Sequence, residues 1–276
     1  MLTLVTYLPF YRLHEVAEYF SKNIEIIKPY EAIVFVDNVY HKKQEEVLKL
    51  LPTGIKYVFG NWGSRNDTWI TMFKELPRSY GIKGNVLFVD SDNILVEDFI
   101  KYHFSLRHYN VYGVLDYECW VEGAKPFLER SVSESDKDST FIYKVYEPRN
   151  YFRGGGPFFW GPKQAVYLAS LPNEELVNKL GVTISHITPY LRNLVSDETL
   201  LGVMAWLLGI NKVPWVVASH HFHHGSGRRA DEFLVARAHT QFAQGLWRVF
   251  KKREFLAYCL KYKAILLRES IKSLIH

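Results

Sequence analysis

Over the first 115 residues, short apolar runs alternate with stretches of helical spacing, and that rhythm admits few folds. Residues 2–7, 32–36, 55–59, 86–89 and 111–115 read as buried strands, rich in Val, Ile, Leu and Phe. Residues 13–27, 41–51, 68–80 and 96–109 read as helices; in the first, Leu13, Val16, Ala17, Phe20, Ile24 and Ile27 share one face. Continuous apolar strands separated by helices predict a mainly parallel sheet covered on both faces, an α/β fold of Rossmann-like type. Ligands on such sheets bind beyond the carboxyl ends of the strands. The polar residues there are Thr6-Tyr7, Asp37-Asn38, the segment 61–67 and Asp90 to Asn93.

After residue 116 the pattern loosens. Residues 129–139 are charged and serine-rich and read as an exposed loop, 197–208 as a helix capped by Ser196 or Asp197, and 212–218 as a late strand. From Asp231 onward the tail reads as helical. Its charge sets it apart: residues 228–276 hold 11 Lys/Arg against 4 Asp/Glu, so most of the chain is nearly neutral although its net charge is +5. The basicity is a local feature rather than a nucleic-acid footprint. The expected organisation is a domain over residues 1–229 followed by a basic helical extension over 230–276. Cys119 and Cys259 are too few for a disulfide framework or a zinc finger. The longest apolar run, residues 200–210, falls short of the ~18 residues of a membrane helix, and the N-terminus lacks the basic start of a signal peptide. The expectation is a cytoplasmic protein.

The most informative motif is Asp90-Ser91-Asp92, which follows the apolar run 86–89. In extended backbone the two acids, two residues apart, share one side, where they repel unless a cation lies between them. Hard oxygen donors suit Mg²⁺ or Mn²⁺, which commonly bridge to substrate phosphates; the rival reading is a turn with capping Asp residues. Arg153-Gly154-Gly155-Gly156-Pro157-Phe158-Phe159-Trp160 combines glycines that admit close backbone approach with rings able to stack on a sugar; as a rival, it is a tight turn beside core aromatics. Ser196-Asp197-Glu198 places acids at a helix start, as caps or as a proton acceptor. His220, His221, His223 and His224 form a concentrated donor set with Arg228 and Arg229 beyond it, read either as an exposed loop or as a metal and diphosphate contact.

On Asp90-Ser91-Asp92 and the strand–helix order, residues 1–225 resemble a GT-A-fold glycosyltransferase related to the family-2 nucleotide-sugar enzymes. The resemblance implies that Asp90, Ser91 and Asp92 meet the donor diphosphate through Mn²⁺ or Mg²⁺. It implies that Thr6, Tyr7 and Asp37 lie along the donor nucleotide. Asn61-Trp62-Gly63-Ser64-Arg65-Asn66 is similar to that family's Asn-x-Gly…Ala-Arg-Asn segment, though shorter before Arg65, and implies a donor contact for Arg65. Gly155, Gly156, Phe158 and Trp160 fall in the acceptor region. Asp197 matches the acid of a Glu-Asp-x-x-Leu-like motif, with Ser196 in place of its first acid and Glu198 as rival base. A late histidine, His221 or His223, joins the metal, and Arg228 closes over the diphosphate.

The activity implied is metal-dependent transfer of a sugar from a nucleotide-diphosphate donor to an acceptor hydroxyl, with inversion if Asp197 is the base. The alternatives are a nucleotidyltransferase on a related scaffold and a carbohydrate-binding protein without turnover. The first would carry a Gly-rich loop after its first strand, where this chain has Thr6-Tyr7-Leu8-Pro9-Phe10. The acceptor is open: a sugar, glycan, protein or lipid-linked molecule. The tail either packs on the domain or touches a membrane surface.

Overall fold

A computed structural model describes residues 1–9, 13–28, 31–37, 44–91, 93–95, 99–116, 126–133, 140–150, 163–210, 212–221 and 231–275. The N-terminal half follows the predicted rhythm: β1 (Thr3–Leu8), α1 (Leu13–Ile27), β2 (Glu31–Asp37), α2 (Gln44–Leu48), β3 (Lys56–Gly60), α3 (Arg65–Ser79), β4 (Val86–Asp90), β5 (Asn93–Leu95), α4 (Phe99–Leu106) and β6 (Val111–Asp116). Then come β7 (Pro126–Ser133), β8 (Thr140–Asn150), β9 (Lys163–Leu168), α5 (Glu174–Ser185), a 3₁₀ turn (Pro189–Leu194), α6 (Asp197–Leu207), β10 (Lys212–His221), α7 (Glu232–Phe250) and α8 (Arg253–Ile275).

One sheet runs in the order β3-β2-β1-β4-β9-β6-β10-β8-β7, with β5 on β10. β3, β2, β1 and β4 are parallel neighbours, as are β6 and β10. β9 runs antiparallel between β4 and β6, so those two strands also point the same way. The Rossmann-like, mainly parallel sheet flanked by helices is therefore the fold, with helices at its C-terminal end. The region read as a loop over 129–139 differs. Its first residues lie in β7, paired antiparallel with β8, while 134–139 are outside the described residues. The sequence Phe141-Ile142-Tyr143-Lys144-Val145-Tyr146 has strong strand preference and recruits the charged partner that composition alone marked as loop.

Strand alternation divides the core between the two faces. Val5, Ile33, Phe35 and Phe88 belong to a cluster with residues of α3, α5, α6, α7 and α8. Leu4, Leu8, Val34, Val36, Leu87 and Val89 belong to a second, with Phe20 of α1, Val47 of α2, and Phe99 and Leu106 of α4. The basic tail joins the first: Ala238, Phe242, Ala243 and Leu246 of α7 and Phe255, Tyr258 and Cys259 of α8 are all buried in it. Asp231 caps α7 by accepting from the backbone N–H groups of Phe233 and Leu234. Gly245 lets α7 approach α5 closely, since a Cβ there would sit 2.9 Å from the Thr183 carbonyl oxygen.

Two buried histidines tie helices to this core. His103 Nδ1 is hydrogen-bonded to Tyr112 Oη at 2.7 Å, and His239 Nδ1 to Tyr258 Oη at 2.5 Å, with the His239 ring stacked on Tyr262. Burial, and secondarily the charge of Arg107 and Lys261 respectively, pushes both imidazoles down from 6.5 to about 4. An unfolded chain protonates these groups at a higher pH than the folded one, so stability is complete above the unfolded value and is lost as pH falls from about 6.5 toward about 4. The melting temperature is expected to drop across that window, and His239→Gln to make the drop shallower. An equal slope in the variant would show that His239 is not one of the groups responsible.

Candidate functional site

The parallel strands bring their carboxyl ends to one edge. Tyr7 and Asp90 are direct partners across β1 and β4, two positions after the pair Val5 and Phe88. Because side chains alternate, Tyr7 and Asp90 lie on the sheet face that Val5 and Phe88 cover, the face under α3 and α6. Thr6 falls on the opposite face with Leu4 and Leu8 and is 2% exposed. Its hydroxyl makes no hydrogen bond among the described residues. Of the two β1 residues expected along the donor, Tyr7 shares a face with Asp90 and Thr6 does not.

The loop from β3 to α3 crosses this edge. Trp62 packs edge-on against Tyr7 and Phe35, with ring centroids 6.4 and 5.8 Å away. Gly63 takes a left-handed conformation, φ +79°, which favours glycine. Ser64 then caps α3: its hydroxyl accepts from the Asp67 backbone N–H. α3 thus begins at the strand ends with its first-turn side chains at the site.

Four of those side chains meet the segment that leads into α6. Asn66 is fully buried, and its Nδ2 donates to the carbonyls of Val195 (2.6 Å) and Arg192 (3.3 Å). Asp67 pairs with Arg192, Nη1 to Oδ2 3.2 Å. Arg65 Nη1 lies 3.8 Å from Asp197 Oδ1. Trp69 donates from Nε1 to Asp197 Oδ2 at 3.3 Å, while its ring lies 4.6 Å from Phe88. The two segments exchange charges reciprocally, each supplying one arginine and one aspartate. The indole fixes Asp197 over β4, two residues short of Asp90.

Ser196 is the helix cap, its Oγ accepting from the Thr199 backbone N–H at 3.3 Å. Asp197 is therefore the first residue of α6, only 4% exposed, and its carboxylate is directed to α3 rather than spent on capping. Glu198 is the next helical residue, with its side chain outside the described set.

The remaining predicted residues divide as follows. Ser91 is buried in the turn after β4. Asp37 ends β2 in register with Gly60, its side chain outside the described residues. Asp92, Gly155, Gly156, Phe158, Trp160, His223 and Arg228 also lie outside them. His221 ends β10 and stands opposite Asn93 in the β5–β10 ladder, one residue beyond Asp92. The ladder thus brings His221 to the residue that follows the Asp-x-Asp motif. Among the described residues no three His, Cys, Asp or Glu side chains converge on a metal-sized site. Sequence reading singled out Arg65 and Asp197 separately but missed Trp69 and Arg192, which position and balance them. The signals were present: an indole with a polar handle on a helix that starts at the strand ends, and an arginine just before the acidic helix start.

No family model matches the chain, and no curated protein matches it. Solved structures do resemble it. TarS residues 1–349 from S. aureus match 96% of this chain and 69% of that one, with 15% identity and a TM-score of 0.44. A 4-diphosphocytidyl-2C-methyl-D-erythritol synthase from Anaerococcus prevotii DSM 20548 matches 79% and 87%, with 12% identity and a TM-score of 0.44. The galactosyltransferase LgtC, solved with donor and acceptor sugar analogues, matches 42% and 47%, with 12% identity and a TM-score of 0.31.

The junction between α3 and α6 makes a stability prediction. Asn66→Ala takes the buried Val195 carbonyl's side-chain donor away, while the Arg192 carbonyl keeps the Val195 N–H, and is expected to cost about 1–3 kcal/mol. Arg65→Ala removes the exposed partner of a 3.8 Å contact while Trp69 still donates to Asp197, and is expected to cost no more than about 1 kcal/mol. Denaturant unfolding of the two variants checks the ranking; an Arg65 variant that loses more stability than the Asn66 variant overturns it.

Proposed function

We propose that the chain is a glycosyltransferase that moves a sugar from a nucleotide-diphosphate donor to an acceptor hydroxyl. The observation that carries this reading is a buried carboxylate, Asp197, held by Trp69 and Arg65 on the sheet face and at the strand end that also present Tyr7 and Asp90. Direct displacement at a sugar carbon needs a cation at the leaving diphosphate and a proton acceptor at the hydroxyl, and an acid able to hold a cation at the strand end with a separate acid at a helix start suits both needs.

The carboxylate chemistry of Asp90 and Asp92 fits a hard divalent cation, and these two, with His221 or His223, would hold Mn²⁺ or Mg²⁺. The ion would neutralise charge growing on the leaving diphosphate. Arg65, with its side chain 56% exposed, would offer its guanidinium to the same anion. Asp197 would take the proton of the acceptor hydroxyl as that oxygen bonds to the anomeric carbon, while the bond from that carbon to the diphosphate oxygen breaks and the nucleoside diphosphate leaves. Trp69 is a positioning residue: its N–H fixes one carboxylate oxygen and leaves the other side of the group toward Arg65. Gly155, Gly156, Phe158 and Trp160 are proposed for the acceptor, and Asp37, Ser91 and Arg228 for the donor.

Asp197→Asn keeps the shape and is expected to bind donor normally while losing on the order of 10²–10⁴ in kcat. Glu198→Gln is expected to be milder. Asp90→Ala and Asp92→Ala are expected to abolish the Mn²⁺-dependent rise in melting temperature given by a nucleoside diphosphate. Calorimetry showing normal metal and donor binding by both aspartate variants would remove the metal site. Release of pyrophosphate in place of nucleoside diphosphate would make the chain a nucleotidyltransferase. An unchanged kcat in Asp197→Asn would leave that carboxylate only its role in joining α3 to α6.

A further inference from the structure

α8 has two apolar faces, and among the described residues only one of them is covered. Phe255, Tyr258 and Cys259 are buried in the core cluster, with the Phe255 ring 5.3 Å from Trp206. On the outer side Leu256, Leu260, Leu267 and Ile271 are 40%, 58%, 64% and 48% exposed. At 3.6 residues per turn these four fall within an arc of about 60° and form a stripe roughly 22 Å long. Four large aliphatic side chains aligned in water on one helix are a patch rather than the scattered exposure of an ordinary surface.

The charges around the stripe are mostly basic. Arg253 and Lys263 project within or beside its arc, and Lys261, Arg268 and Lys272 form a row along one flank. The two acids of the helix, Glu254 and Glu269, point away from the stripe, Glu254 on the flank that carries Lys272; Glu254 pairs with Arg253, Glu269 with Arg268 and Lys272, and Glu232 of α7 with Arg268, which leaves the cations in excess. From residue 251 to the end the chain carries seven Lys/Arg against two Glu, a net +5 that equals the formal charge of the whole protein.

We propose that the outer face of α8 lies on an anionic lipid surface, with the leucine stripe at the headgroup–acyl boundary and the basic side chains among the phosphates. A helix that pairs an aliphatic stripe with lysine and arginine has the chemistry of an interfacial helix. Its inner face, locked into the core through Phe255 and Tyr258, lets the folded protein present the stripe without unfolding. A second copy of the chain is a poorer occupant. Two-fold pairing about the middle of this face would bring Lys263 against the same cation of the partner, a like-charge contact that an anionic surface converts to attraction. No helix among the described residues is long and apolar enough to cross a membrane, so the contact is peripheral. This inference does not rest on the proposed catalytic reading.

The test is flotation of the full chain with phosphatidylcholine vesicles, with and without phosphatidylglycerol. Binding is expected only with the anionic lipid, and to weaken with added salt as surface attraction is screened beyond about 8 Å. Leu260→Asp with Leu267→Asp is expected to keep the wild-type melting temperature, since both side chains are exposed, and to lower bound protein roughly tenfold or more. If that pair perturbs folding, Leu260→Ser with Leu267→Ser serves the same purpose. Lys263→Glu is expected to weaken binding to anionic vesicles alone. Failure of the wild-type chain to float at low salt overturns the proposal. So does flotation of the folded leucine variants at wild-type levels. A dimer in light scattering that Leu260→Asp dissociates, without flotation, assigns the stripe to a second copy instead.

Discussion

The contact on which the candidate site depends is that of the Trp69 indole with two partners at once. Its ring is pressed against Phe88 in the middle of the sheet, and its N–H donates to the carboxylate of Asp197. A buried tryptophan gains most from area, but its N–H needs an acceptor once water is gone. Asp197 is that acceptor. The indole therefore links hydrophobic packing on β4 to the orientation of a charged group on α6. The same helix turn adds Asn66 and Asp67, which hold the Val195 and Arg192 backbone and the Arg192 guanidinium. A 3₁₀ turn and a helix start more than a hundred residues along the chain from α3 are thereby fixed against it.

That junction explains why Asn66 sits in a segment that resembles a nucleotide contact and yet is fully buried. Its amide hydrogens satisfy carbonyls at the end of the 3₁₀ turn, where regular helix bonding has stopped. The side chain of the same turn that reaches furthest into solvent is Arg65, with more than half of it in water. Within one motif the structure separates a tie from a candidate contact, a division that spacing in the sequence does not reveal.

What could be read from the sequence was what depends on local pattern. Strands β1, β2, β3, β4 and β6 and the helices between them follow from apolar periodicity, because each strand is a short, largely apolar run and each helix shows one apolar stripe. The helical tail was legible for the same reason. The antiparallel β9 was not. It reads Lys163-Gln164-Ala165-Val166-Tyr167-Leu168, an ordinary short apolar run, and its place between β4 and β6 is set by long-range pairing. The β7–β8 pair escaped because charge on β7 imitates a loop. For the site, Asp90 and Asp197 were legible as acids at element ends. Trp69 and Arg192 were not, because their importance comes from partners distant in sequence. That Tyr7 and not Thr6 shares a face with Asp90 followed only once the parallel register was fixed.

Charge distribution ties the two proposals together without making one depend on the other. Outside its last 49 residues the chain has a slight excess of acid, so a diphosphate would find little general attraction there. It would have to meet cations fixed at the strand ends. Arg65 is placed there by the start of α3, and a divalent ion on the Asp-x-Asp turn would supply the rest. The basic residues of α8 cannot stand in for these, since surface charges act over about a Debye length, roughly 8 Å in physiological salt. Their concentration beside an aliphatic stripe suits a partner that is itself extended, anionic and apolar beneath. A bilayer has all three properties, and a helix whose inner face is already part of the core can meet it as a rigid surface, with no ordering of a loose tail to oppose binding.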